Sequence, residues 1–226
     1  MKDKLTGLKS GTLFYPDMET LISKEEEFAL LEMDIDNFML VNNDHGHEVG
    51  DAVLRFIAMQ IGKIFPEPAF TYRTGGDHFS VLIPGCSKEE AFLNAEQLRK
   101  KIFEDEIILA PDDLNPKIPF AAQGAASITK SVCIGVASYP EDGGRPADIS
   151  RKADSALMNA KKNGRNRVAL AREEKLTPKT SHYTQNQLEK LSATSERLAV
   201  GESALLREAL DDLLKKYDVI THSSQR

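Results

Sequence analysis

Apolar residues along this chain follow two rhythms. Leu13, Met18 and Leu21 recur at helical spacing, and Val49, Val53, Phe56, Ile57, Ile61 and Ile64 line one face of a longer segment, so two amphipathic helices are predicted. Between them, residues 24–27 make a charged turn and residues 28–34 a strand whose run 28–33 looks buried. Further strands are predicted at 69–73, 79–83, 131–139 and 167–170, with helices at about 87–105 and 147–163. Strands and helices alternating in this way predict an α/β layer, with helices packed on a mixed sheet.

Two regions depart from that rhythm. Residues 107–128 contain Pro, Asp and Ala without periodicity and exceed the usual connection within a compact domain, so a surface insertion is expected. After Leu170 the chain becomes a polar, Pro-containing linker at 173–180, then shows two helix-period segments, 187–200 and 203–217. Gly201 suits a helix C-cap and Ser203 an N-cap between them. Two short amphipathic helices cannot bury their own leucines, so this tail is expected to pack on another surface, either the first domain or a second copy. The resulting division is a domain at 1–171, a linker at 172–180 and a small helical module at 181–226.

Length and composition narrow the class without naming a partner. A chain of 226 residues with 41% hydrophobic residues can bury a sizeable core. Its net charge of -6 argues against a general nucleic-acid coat. Cys86 and Cys133 lie far apart without metal-ligand spacing, in apolar strand surroundings that predict structural thiols. No apolar run reaches membrane-spanning length, and the first residues lack a signal-peptide pattern, so a cytoplasmic protein without a membrane partner is expected.

The chemistry concentrates at two strand ends. Gly75, Gly76, Asp77, His78 and Phe79 join two predicted strands, and a Gly-Gly pair reaching positive φ would make a tight hairpin that presents Asp77 at its tip. The run 28–33 ends in Asp34, Ile35 and Asp36. Two carboxylates on neighbouring strand ends can hold a divalent metal over a phosphate, since Mg2+ takes few protein ligands and completes its shell with water and substrate oxygens. An ordinary acidic strand end beside a glycine hairpin would show the same residues.

The wider pattern separates these readings. Leu5, Thr6, Gly7 and Leu8, then Asp34, Ile35, Asp36, Asn37 and Phe38, then Asn42, Gly46, His47, Gly50 and Asp51, then the hairpin, then Lys161, Gly164, Arg165 and Asn166 resemble, in order and spacing, the GGDEF family of diguanylate cyclases. The resemblance implies a ferredoxin-like nucleotidyl-cyclase palm acting on GTP. It implies catalytic positions at Asp34, Asp77 and His78. Metal would be held by Asp34, Asp77 and the Ile35 carbonyl, with two Mg2+ ions per site and Mn2+ as a substitute. Asn42 and Asp51 match guanine-reading positions, and an amide with a carboxylate complements the acceptor and donor edges of guanine. Lys161 and Arg165, four apart, are expected on one helix face toward the triphosphate. Arg73 matches a family arginine whose usual partner is a carboxylate. His47 is given no chemistry.

Several positions depart from the family pattern. His78 stands where Glu is usual, Met39 where a phosphate-contacting Lys is usual, and Asn43 where Asp usually follows Asn42. The Arg-x-x-Asp of product inhibition is replaced by Pro66, Glu67, Pro68 and Ala69, so no feedback site of that type is expected. The tail, with an extended piece at 179–184 before its helices, resembles a ribbon-helix-helix module, an obligate dimer whose paired strands enter the DNA major groove. Its alternation puts Lys179, Ser181 and Tyr183 on one side and Thr180, His182 and Thr184 on the other.

Three functions follow. The first is a diguanylate cyclase condensing two GTP to cyclic di-GMP across a homodimer, with two metals stabilising the attacking and leaving oxygens. The second is a catalytically impaired GTP-binding regulator coupled to a dimeric DNA-binding module. The third is a purely structural palm that assembles with partners and needs no nucleotide. Acidic and basic residues balance in the tail, which favours dimerisation over DNA contact for that module.

Overall fold

The computed structural model describes residues 1–105, 130–172, 180–198 and 201–223. The chain divides into two units, residues 1–174 and 175–226. The expected insertion at 107–128 lies outside the described residues.

The first unit contains β1 (Lys9–Ser10), α1 (Phe14–Ser23), β2 (Phe28–Ile35), α2 (Phe38–His45) and α3 (His47–Ile64). It continues through β3 (Phe70–Arg73), β4 (His78–Pro84), α4 (Lys88–Glu104), β5 (Val132–Tyr139), α5 (Pro146–Lys162) and β6 (Arg167–Leu170). The strands form one mixed sheet in the order β1, β3, β4, β2, β5, β6. The two outer pairs, β1–β3 and β5–β6, are parallel, while the inner pairs β3–β4, β4–β2 and β2–β5 are antiparallel.

Strand β2 is buried along its whole length because both faces of the sheet are covered. Leu31 and Met33 face Val53, Ile57 and Ile61 of α3 and Leu98 of α4. Phe28 and Leu30 face Met18 and Leu21 of α1 and Ile149 and Ala153 of α5. A strand covered on both sides shows a continuous apolar run instead of alternation. Gly135 of β5 lets α5 approach closely, since a methyl group there would run into the Ala153 carbonyl and the Leu157 amide. Opposite Gly135 in register is Glu32, a carboxyl inside the core. It accepts a 2.6 Å hydrogen bond from Ser80 Oγ. Burial pushes its pKa up to about 8, with the nearby Asp154 charge acting in the same direction and the Ser80 bond opposing.

Most predicted boundaries hold within a few residues, and the exceptions have local causes. Helix α2 was not expected: it buries none of its residues, so it shows no apolar stripe, and it starts from Asn37 at φ 56°. Strand β1 is too short to display a period. Cys133 is buried in β5 as expected, but Cys86 is half-buried and falls after the end of β4, outside any strand. Helix α4 begins with a capping box, in which Ser87 and Glu90 satisfy each other's backbone amides.

In the second unit, α6 (Gln185–Leu198) and α7 (Glu202–Ser223) replace the predicted 187–200 and 203–217. Thr184 and Gln187 cap α6 reciprocally: the Thr184 amide donates to Gln187 Oε1 at 2.9 Å, and the Gln187 amide to Thr184 Oγ1 at 3.4 Å. Ser203 is not the N-cap of α7. The helix starts one residue earlier, with the Gly201 carbonyl accepting from the Leu205 amide at 3.2 Å. Residues 199–200, where the C-cap expected of Gly201 would be judged, and Lys179 lie outside the described residues. Residues 180–184 carry no strand pairing among the described residues. Leu188, Leu198, Leu210, Leu213, Leu214 and Tyr217 are all exposed. No helix among the described residues is long and apolar enough to cross a membrane.

Candidate functional site

Asp34 is the seventh residue of β2, and its register partner across the antiparallel ladder is His78, the first residue of β4. Backbone pairing on both sides of β2 therefore fixes where this carboxylate stands. His78 Nε2 lies 3.1 Å from Asp34 Oδ2, and Lys161 Nζ, in the last turn of α5, lies 2.6 Å from Asp34 Oδ1. Asp77 completes the group: Asp34, Asp77 and His78 each offer a donor atom, all within 4.8 Å of one another. Burial raises the Asp34 pKa, and the Asp77 charge adds to that, while Lys161 and His78 pull it down. Both Asp34 oxygens thus carry partners, and a divalent ion bound there would take the place of at least one of them.

The turn that carries Asp77 is not built as the glycine pair predicted. Neither Gly75 nor Gly76 adopts positive φ. The loop is closed by the Thr74 and Gly75 amides donating to the His78 carbonyl at 3.0 and 3.3 Å, and by Arg73 donating to the Gly76 carbonyl at 2.7 Å. Gly75 instead leaves room for the neighbouring ring, because a Cβ there would come within 3.3 Å of the His78 side chain. Arg73 is held from its other side by Asp3, at 3.4 Å, and Asp3 also caps Thr6. The carboxylate partner expected of Arg73 is thus in the N-terminal segment.

Beside this cluster lies a cavity of about 370 Å³ whose lining includes Phe38, Met39, Asn42, Asp51, Arg73 and Asp77. Asn42 comes from α2 and Asp51 from α3, two helices joined through Gly46 at φ 90°. Gly50 allows the two to close, since a methyl group there would collide with Asn42 Oδ1. The two expected guanine readers therefore share one cavity with Arg73, and Asp77 belongs both to that cavity and to the carboxylate cluster. Met39 is exposed at its edge.

Ile35 ends β2 with its side chain in the core, which leaves only its backbone for a ligand. Arg165 departs from expectation. Helix α5 stops at Lys162, and Arg165 sits exposed in the following loop at φ 58°, so it shares no helix face with Lys161. That loop is tied down by Asp36, whose structural role the sequence reading did not assign. Its carboxylate accepts from Ser131 Oγ at 2.6 Å, Cys133 Sγ at 3.0 Å and the Asn166 amide at 2.9 Å. Burial first, and Asp36 second, push the Cys133 thiol up to about 12, which keeps it protonated as a donor. Arg99 adds a 3.0 Å bond to Asn166 Oδ1.

Residues 1–167 match the family model described as diguanylate cyclase, GGDEF domain, and residues 175–218 match the ribbon-helix-helix domain model. The chain is 31% identical to a diguanylate cyclase of Vibrio cholerae over 175 residues, which cover 76% of this chain and 50% of that protein. It is 33% identical to diguanylate cyclase A of Treponema denticola over 149 residues, 66% of this chain and 36% of that one. The chain thus spans at most about half the length of the curated relatives it matches. Among solved structures, the GGDEF domain of TpbB (YfiN) from Pseudomonas aeruginosa superposes with a TM-score of 0.65 at 30% identity, covering 76% of this chain and 95% of that one. The GGDEF domain of DgcB from Caulobacter crescentus, solved in complex with c-di-GMP, gives 0.62 at 27% identity, covering 75% and 95%.

Proposed function

We propose, from the premise that this chain belongs to the diguanylate cyclase GGDEF-domain family, that its palm condenses two GTP molecules into cyclic di-GMP across a homodimer. The observation that carries the reading is the shared position of Asp77, at once a member of the Asp34, Asp77 and His78 cluster and a wall of the cavity holding Asn42 and Asp51. A nucleotide whose base lies in that cavity would set its phosphates beside the carboxylates. Divalent metal held by Asp34, Asp77 and the Ile35 carbonyl would neutralise those phosphates when bound.

The chain's own groups do the rest. Asn42 and Asp51 would read the base edge, and Arg73, anchored by Asp3, would hold the hairpin that presents Asp77. Lys161 would exchange its Asp34 partner for phosphate oxygens, with Arg165 approaching from the loop that Asp36 secures. Among the described residues the palm shows one cavity lined by Asn42, Asp51 and Asp77, so the second GTP would come from another copy. The exposed leucines of the C-terminal helices would supply that pairing, and tethering raises the effective concentration of one palm for the other. The substrate places the reaction in the cytoplasm.

Purified full chain incubated with GTP and Mg2+ or Mn2+, with nucleotides resolved by chromatography, tests this. Cyclic di-GMP and pyrophosphate are expected. Their absence at concentrations where the dimer is present overturns turnover.

A second reading is favoured by His78 and Met39, which depart from the family pattern, together with the ribbon-helix-helix match. In it the palm binds GTP without turnover and biases DNA binding by the C-terminal module. DNA affinity that changes with GTP and falls steeply with salt supports it, and affinity indifferent to GTP refutes it.

A further inference from the structure

The residue that most sets this site apart is an imidazole among carboxylates. Building on the metal-dependent reading above, we infer that His78 is itself a metal ligand. It would convert the carboxylate pair into a mixed nitrogen and oxygen site that prefers borderline transition metals, of the Co2+ and Zn2+ class, over Mg2+.

Three observations support this. First, the spacing, an ordinary ion-pair distance, also suits two ligands on one ion. Donors held about 2.1 Å from a metal at octahedral or tetrahedral angles lie roughly 3.0–3.4 Å apart, and His78 Nε2 lies 3.1 Å from Asp34 Oδ2. Second, the backbone brings the two side chains together: Asp34 and His78 are cross-strand partners in the β2–β4 ladder. Gly75 leaves open the space beside the ring, since a Cβ at that position would press on it. Third, Asp77 brings a further oxygen within 4.8 Å of the other donors. The trio then carries two negative charges and one neutral nitrogen.

The preference follows from ligand chemistry. Mg2+ is a hard ion that favours an all-oxygen octahedron, so an imidazole in place of a third carboxylate removes both a charge and a suitable donor. Co2+, Ni2+ and Zn2+ gain from imidazole nitrogen, and their affinities for a mixed site follow the order of the first-row series. The family pattern at this position, Glu, would remove the nitrogen donor and with it most of that advantage.

The full chain, labelled with 15N-histidine and free of nucleotide, is titrated with Co2+ and separately with Mg2+ by calorimetry and NMR. Expected are a Co2+ dissociation constant at least about tenfold below that for Mg2+ and a hyperfine-shifted, exchangeable imidazole N–H resonance. The chain has five histidines, so assignment rests on His78→Ala, which should lose that resonance and weaken Co2+ binding. His78→Glu should narrow the metal preference. Because His78 is half-exposed, both variants should retain the wild-type circular dichroism. Co2+ bound without such a resonance, or with one that persists in His78→Ala, overturns the role of His78 while leaving the carboxylate site standing. Failure to bind Co2+, Mn2+ or Mg2+ with or without GTP overturns the metal reading as a whole.

Discussion

Replacing Glu32 by Gln tests how the sheet tolerates a carboxyl in its interior. An ordinary glutamate titrates near 4.5, whereas burial pushes Glu32 to about 8. Between those values the folded chain keeps a proton that the unfolded chain has released. The stability linked to Glu32 is therefore fully present below about pH 4.5, declines as pH rises, and levels off above about pH 8. At about 1.4 kcal/mol for each pH unit in that window, the loss reaches roughly 5 kcal/mol as an upper bound. Glu32→Gln cannot ionise, and its amide oxygen can still accept from Ser80. Wild type and variant should agree within about 1 kcal/mol at pH 5, while at pH 8.5 the variant should be more stable by roughly 2–5 kcal/mol. Urea unfolding followed by the near-ultraviolet signal of tyrosine, in EDTA and across this range, gives both curves. Since every other titrating group is shared, their difference isolates Glu32. Parallel curves would refute the reasoning and show that the carboxyl is ionised inside the fold or open to water.

Gly135→Ala should destabilise the first unit by about 3 kcal/mol, measured by the same urea midpoint, because the added methyl meets backbone of α5 that cannot rotate away. Gly50→Ala pushes instead against the movable Asn42 side chain, so stability should change by less than about 1 kcal/mol while the dissociation constant for GTP rises roughly tenfold. Calorimetry that finds GTP affinity unchanged in Gly50→Ala would remove Asn42 from base recognition.

The elements that the sequence declared were those with a buried face. The double-sided burial of β2 announced itself as the mostly apolar run 28–33, broken only by Glu32, and α1 and α3 by stripes of apolar residues. Helix α2 stayed hidden because a helix with no buried residue has no stripe to read, although Asn42 had already been singled out on it by family pattern. Residues joined by geometry rather than periodicity were the hardest. Nothing local to Asp36 says that it will hold Asn166, 130 positions away in the chain. Arg165 was misread because spacing of four implies a shared helix face only while the helix continues, and here it ends at Lys162. The Gly75 and Gly76 pair marks the right place for the wrong reason: neither takes positive φ, and only Gly75 lies against the imidazole. A Thr184-x-x-Gln187 capping box was present in the sequence and would have placed the start of α6 two residues earlier.

Asp34, His78 and Lys161 reach their common point from three stretches of chain that meet only when β2, β4 and the end of α5 are all in place. Opening any one of them scatters the donors. A fragment, a nicked chain or a loosely folded intermediate would thus be silent toward nucleotide and metal alike, and ligand binding becomes an all-or-none census of intact palms in a preparation.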